Sequence, residues 1–401
     1  MERTDISELP EDILKEIMVR VPLESLVDQC ICVCKKWRST IRGEEFKKLY
    51  WAQSITRPRL LFDYIRTFAQ HSDYLLQSVY QQEEPLLSSA LKKMIISSAR
   101  EYKMFCAPQR GLVCLGYETK FVLCNPATNK FKALPECKRL RPERESKIIC
   151  FFGYDEVTKV FTFLISETDY RCTRKFSHNY KPLMRQQVFT VELAELNENI
   201  KEKPWRVIKC EHNHVPVTKS LCLKGVLYYG AKSLVEMDKS MIISFDMRSE
   251  VFTIIDMPKG VKLADFDDRL VNYNGEVCLV KDSGDVNHVM EDGTRVYEIY
   301  VKDENAIRKW REEPVVIPCL GDAVRNVRFC CAGTINGATG ELILVFATEL
   351  GAPWKETTPF VLYYDTATRK VRLFKVEGGV DEDLYSSGRT FVNHCDSLLL
   401  S

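Results

Sequence analysis

The chain has 401 residues, 45% of them apolar and 28% charged, and a formal net charge of +1. This is ordinary globular composition, long enough for two or three domains or for one small domain joined to a large β architecture. So neutral a balance gives no general attraction to nucleic acid or to an anionic membrane, and neither direct nucleic-acid binding nor membrane association is expected.

The opening "MERTDISELP" is polar and acidic and lacks the apolar core of a secretory signal. The longest apolar runs, such as "ELILVFA" at 341–347, are strand-sized rather than membrane-spanning. Sixteen cysteines are scattered without a CxxC pair. They read as reduced, mostly buried thiols of a soluble intracellular protein.

In "ELPEDILKEIMVRVPLESL" (8–26), Pro10 suits the first turn of a helix, where its missing N–H costs nothing. Glu11 and Asp12 follow, where carboxylates complement the helix dipole. Ile13, Leu14, Ile17, Met18 and Val21 recur at helical spacing and make an apolar stripe, which Pro22 ends. Ser25 to Trp37 continue as further helical pieces. Three short helices in so few residues bury too little surface to stand alone. The stripe needs a partner, either the body of this protein or another chain.

After "FKKLYWAQSITRPRLLF" (46–62) the texture becomes that of strands. Runs such as "GLVCLGY", "KVFTFLIS", "QQVFTVEL", "MIISFD" and "ELILVFAT" are rich in Val, Ile, Phe and Tyr and are separated by Gly, Asn, Asp and Pro. Four segments share one frame: "CNPATNKF" (124–131), "YDEVTKVF" (154–161), "FDMRSEVF" (245–252) and "YDTATRKV" (364–371). A strand ends at Asn or Asp, a Thr or Ser lies three residues on, and an apolar residue resumes at the sixth. Side chains of this kind bond the backbone through a hairpin turn. The frame fits a β-propeller of six or seven blades, with a pair of β-sandwiches as the alternative. WD and kelch signatures are missing.

The sequence carries few motifs for chemistry. No GxSxG elbow, P-loop or HExxH is present, and no catalytic residue is expected. "GTINGATG" (333–340) reads as a hairpin turn. Cys30, Cys32 and Cys34 alternate without the second cysteine group a zinc site favours, and "CEHNH" offers only Cys210, His212 and His214. No metal or other cofactor is expected. The basic stretches "RCTRKFSHNYKPLMR" (171–185) and "CKRLRPERESK" (137–147) read as solvated loops with some capacity to contact an acidic target, and "GGVDEDLYSSG" (378–388) reads as an acidic loop.

"LPEDILKEIMVRVPLESL…CVCKKWRSTI" resembles an F-box, the helical motif that docks on a Skp-type adaptor in a cullin-based ubiquitin ligase. The resemblance implies that Leu9, Pro10, Ile13, Leu14, Ile17, Val21, Pro22, Leu26, Val33 and Trp37 divide between the adaptor interface and the motif's own core. Relative to that pattern the stretch from Pro22 to Trp37 is one residue longer. One residue turns a helix by about 100°, so "VDQCIC" has to absorb it in a loop or a bulge. The rest, from "RPRLLF" through "NPATNKFKALP" and "SFDMRSEVFTIIDMP" to "RTFVNHCDSLLL", resembles the F-box-associated domain of plant F-box proteins.

The expectation is therefore a small all-α F-box (4–50), a connector with the first strands (51–105), and a large all-β F-box-associated domain (106–401). By resemblance the chain is a non-catalytic substrate receptor. Its partners would be a Skp-type adaptor, a cullin reached through it, and an unidentified protein target, in the nucleus and cytoplasm. The alternatives are a propeller enzyme or ligand-binding protein with a structural helical cap, and an F-box protein that binds its adaptor without directing degradation.

Overall fold

Five short helices come first: α1 (Glu11–Met18), α2 (Leu23–Ser25), α3 (Ile31–Val33), α4 (Lys35–Arg42) and α5 (Glu44–Ile55). This is a computed structural model, and it describes every residue except 1–8, 68–71, 82–91, 95–103, 141–145, 170–183, 237–238, 264–268, 282–293, 304–309, 319–327, 335–340, 348–359, 377–383 and 401. The expected boundary at residue 50 falls inside α5, because Phe46 and Tyr50 are one helical turn apart and bury together in the helical core.

Between α2 and α3 the chain makes a π-helical turn over Leu26–Cys30. The loop or bulge expected within this stretch takes the form of this wide turn. Widening one turn takes up a residue without rotating the helices beyond it, so Leu26 stays buried and Trp37 still packs on the core.

The β body is a ring of six four-stranded antiparallel sheets, which excludes the sandwich pair. Blade 2 spans 104–133, blade 3 spans 146–208, blade 4 spans 214–256, blade 5 spans 269–317 and blade 6 spans 328–375. Blade 1 is built from both ends of the body. The last strand, Leu384–His394, pairs with Arg59–Thr67, and Ser72–Tyr80 and Lys92–Met94 complete the sheet. Arg59 lies opposite His394 and Leu61 opposite Phe391. The strands of the expected 51–105 connector are thus a blade, because only the chain's last strand can close the ring. First strands of neighbouring blades touch, as in the contacts of His214–Leu223 with Arg269–Tyr273, so the first strands of blades 3 to 6 lie innermost, and Leu384–His394 takes that place in blade 1.

The core is divided into layers between adjacent blades. Between blades 2 and 3, Cys114, Phe121 and Leu123 meet Phe152, Phe161, Phe163 and Phe189. Between blades 3 and 4, Phe151 stacks on Tyr229 with ring centroids 4.3 Å apart. Blades 5 and 6 meet through Ile299, Val301, Phe329 and Leu344.

All four recurrent turns behave alike. Asn125 Oδ1 accepts from the Ala127 N–H at 3.0 Å, Asp155 Oδ1 from Val157 at 3.2 Å, Asp246 Oδ1 from Arg248 at 2.9 Å and Asp365 Oδ1 from Ala367 at 2.9 Å. The residue four places after each acid or amide is left-handed: Asn129, Lys159, Glu250 and Arg369 have φ of 52°, 59°, 55° and 57°. The frame is not repeated strictly blade by blade. Asn125, Asp246 and Asp365 close the third-to-fourth hairpin of blades 2, 4 and 6, whereas Asp155 closes the first-to-second hairpin of blade 3. Antiparallel alternation puts both kinds of hairpin on one face of the ring.

Candidate interaction site

The apolar stripe of α1 is two stripes. Leu14 and Met18, one turn apart, are 1% exposed and face inward, while Ile13 and Ile17 are 47% and 48% exposed and face outward. Val33, at the end of α3, is 58% exposed. Pro10 and Pro22 are also exposed, Leu9, Val21 and Trp37 are half-buried, and Leu26 is fully buried. The ten residues singled out from the sequence therefore divide. Leu14 and Leu26 belong to the inner core with Val21 and Trp37 packed against it, and Ile13, Ile17, Val33 and the prolines face outward.

Local bonds hold that outer surface in shape. Cys34 caps α4 by accepting from the Trp37 N–H at 3.4 Å. Lys36 donates to the Leu9 carbonyl at 2.8 Å, tying the start of the motif to α4. Arg38 Nε reaches the Ile31 carbonyl at 3.1 Å. Lys15 bridges Glu11 at 3.0 Å and Glu45 at 2.6 Å, joining α1 to α5. Of the cysteines in this segment Cys34 caps, Cys30 packs against the core and Cys32 is exposed.

The inner core is not completed by the helices alone. Leu14, Met18, Leu23, Leu26, Ile41, Phe46 and Tyr50 form one cluster with Ala127 from a blade 2 turn and Leu398 from the C-terminal tail. Asn125 Nδ2 donates to the Ser397 carbonyl at 2.7 Å and to the Leu399 carbonyl at 2.5 Å, which threads the tail between the turn and the helices. Gly111 has φ 77°, and a Cβ there would lie 2.6 Å from Ser397 Oγ, so the approach of the tail needs glycine.

Arg59 is the electrostatic centre of this junction. Its Nε lies 3.1 Å from Asp396, and its Nη1 donates to Glu24 at 3.2 Å and to Ser78 at 2.9 Å. Nη2 donates to the Tyr80 hydroxyl at 2.5 Å. Desolvation by itself disfavours the charge, but the buried Asp396 and the half-buried Glu24 carboxylates keep the guanidinium charged. Beside it, Arg110 lies over the Trp51 ring of α5 at 4.5 Å and pairs with Glu156 at 3.0 Å. No sequence pattern marked Arg59 or Arg110. The three leucines near the chain's end were the one visible sign that the tail is buried.

The body enters and leaves at this face: the strand from Arg59 starts here and the strand to His394 ends here. By the same alternation, the second-to-third turns and the links between blades open at the opposite face. There Glu167 is fully buried and accepts from the Leu140 N–H at 2.9 and 2.8 Å, from Ser146 at 2.7 Å, and from Arg185 at 2.9 Å. This anchors the start of the basic stretch 137–147, within which Arg139 pairs with Glu118 at 2.6 Å. Residues 141–145, 171–183, 335–340 and 378–383 of the basic, glycine-rich and acidic stretches lie outside the described residues. In "CEHNH" the His214 ring bonds the His212 carbonyl at 2.8 Å and the Tyr229 hydroxyl at 2.9 Å, so both its nitrogens are engaged. Burial lowers its pKa to about 4.

Against known proteins, the model of an F-box domain matches residues 6–49, and that of an F-box associated beta propeller domain matches residues 63–395. One Arabidopsis thaliana relative named as an F-box protein is 36% identical over 97% of each chain. Another is 38% identical over 100% of each. An F-box/kelch-repeat protein of the same plant is 28% identical over 97% of this chain and 92% of its own.

Proposed function

The chain belongs to the F-box protein family that carries an associated β-propeller, and from that premise we propose that it is the substrate-recognition subunit of a Skp–cullin–F-box ubiquitin ligase. The observation that carries this reading is the divided helix α1: Leu14 and Met18 are buried in a core shared by the helices, Ala127 and Leu398, while Ile13 and Ile17 stay about half exposed. Burying the exposed half of Ile13, Ile17 and Val33 against a Skp-type adaptor would be worth about 1 kcal/mol for each side chain.

The propeller then holds a protein target on its face away from the helices, and the complex raises the target's effective concentration at the conjugating machinery. In this reading the chain is a non-catalytic receptor acting in the nucleus and cytoplasm. Rigid seating of the helices on the propeller, through Leu398, Ala127 and Arg59, supports it, because a fixed spacing keeps the target in reach.

The test is co-purification with a panel of Skp-type adaptors, comparing wild type with Ile13→Asp and with Leu9→Ala/Pro10→Ala. Retention by wild type and loss in the variants, with the propeller still folded, is the expected result. Failure of wild type to bind any adaptor would overturn the reading. A target that binds the propeller but whose half-life is unaffected would instead indicate a receptor that does not direct degradation.

A further inference from the structure

Three cysteines from three separate segments converge inside the ring. Cys106 follows the first strand of blade 2, Cys114 lies on its second strand (Val113–Tyr117), and Cys150 lies on the first strand of blade 3 (Ser146–Asp155). Their sulfurs lie within 4.8 Å of one another, and all three residues are buried. We propose that Cys106, Cys114 and Cys150 form a three-coordinate site for one copper(I) ion, pinning blade 2 to blade 3.

The donor set selects the ion. It is sulfur alone, with no histidine or carboxylate in the group, and all-sulfur ligation suits soft ions such as Cu(I) and Zn(II). Ligands about 2.3 Å from a metal stand about 3.8–4.0 Å apart, so closing on an ion asks for a contraction of about 1 Å or less. Zinc in a closed site takes four ligands, whereas copper(I) is satisfied by three. The three cysteines belong to one buried apolar layer with Leu112, Phe121 and Phe152, which keeps water from serving as a fourth ligand.

The present sulfur contacts are ones an ion could replace. Cys106 Sγ donates to the Cys150 carbonyl at 3.2 Å, while Cys150 Sγ and Cys114 Sγ reach backbone carbonyls at 3.7 and 3.9 Å. Burial pushes the Cys114 and Cys150 thiols well up, so they carry their protons until a metal arrives. Each thiol that ligates releases its proton to solvent, and the copper stays in the same oxidation state throughout.

The test loads the full-length chain anaerobically with copper(I) held by acetonitrile, removes loosely bound metal with bicinchoninate, and measures copper per chain. Cys32, which is exposed, is replaced by serine in every sample to remove a competing thiol. One retained equivalent, lost in Cys106→Ser and in Cys114→Ala with circular dichroism unchanged, supports the site. X-ray absorption of the loaded protein needs no core variant, and it should show three sulfur neighbours at about 2.2–2.3 Å. No retained copper, retention indifferent to these substitutions, a first shell containing nitrogen or oxygen, or stoichiometric displacement of the copper by zinc would each overturn the proposal.

Discussion

Arg59 Nε and the Asp396 carboxylate lie 3.1 Å apart with both side chains buried, which joins the first strand of the propeller to the segment after its last. The same guanidinium reaches Glu24 in α2. One residue thus ties together the N-terminal helices, the ring closure and the tail.

Replacing Arg59 with Met would strand the buried Asp396 carboxylate and take this partner from the half-buried Glu24. The expected loss is about 3–5 kcal/mol of stability, measured by urea unfolding of the full chain. Arg59→Met combined with Asp396→Leu should recover part of it, since removing both charges also removes the uncompensated one. A double variant no better than the single would show that the pair's geometry, rather than its charge, holds the junction.

The two sides of α1 should respond in opposite ways. Leu14→Ala opens a cavity in the inner core and is expected to cost about 2–5 kcal/mol. Ile17→Asp, on the outer side, should leave the unfolding midpoint nearly unchanged and abolish capture by the adaptor. Pull-down and thermal melts on the same samples separate these outcomes. An Ile17→Asp protein that melts early would mean that the outer stripe packs on the body after all.

Asp155 in blade 3 and Arg248 in blade 4 form a two-pronged ion pair, with both bonds at 2.7 Å. This pair and the turn hydrogen bonds hold the Asp155 carboxyl well below the usual carboxylate range. A lowered carboxylate pKa stabilises the fold above its unfolded value, and that contribution is lost as pH falls toward the folded one. Asp155→Asn keeps an acceptor for the turn, as Asn125 does in blade 2, but loses the pair. Because Arg248 is half exposed, the expected cost at pH 7 is about 1–2 kcal/mol. The gap between variant and wild type should narrow in acid, below about pH 4.

His214 adds a second pH dependence. Its pKa falls from about 6.5 unfolded to about 4 folded, because the buried ring resists protonation. Full stability is expected above pH 6.5, and it should decline as pH drops from 6.5 toward 4, where the unfolded chain binds a proton that the folded one refuses. The step should amount to about 2–3 kcal/mol. His214→Gln should flatten unfolding free energy over that range. An unchanged slope in the variant would assign the acid response to other groups.

Much of this molecule was legible in its sequence because the signals are local. The helix start at Pro10, the stop at Pro22 and the hairpins at Asn125, Asp155, Asp246 and Asp365 depend on side chains bonding backbone a few residues away. The stretch before Trp37, where a loop or a bulge is expected, holds the π-helical turn at Leu26–Cys30. What tertiary structure decided involves partners far apart in the chain. Ile13 and Leu14 are adjacent and equally apolar, and it is the packing of the other helices, Ala127 and Leu398 around Leu14 that makes one inner and the other outer. The six-fold ring likewise rests on the pairing of Arg59 with His394, which no periodicity encodes. Helical spacing specifies that a stripe exists, but burial of that stripe is a property of the surface brought against it.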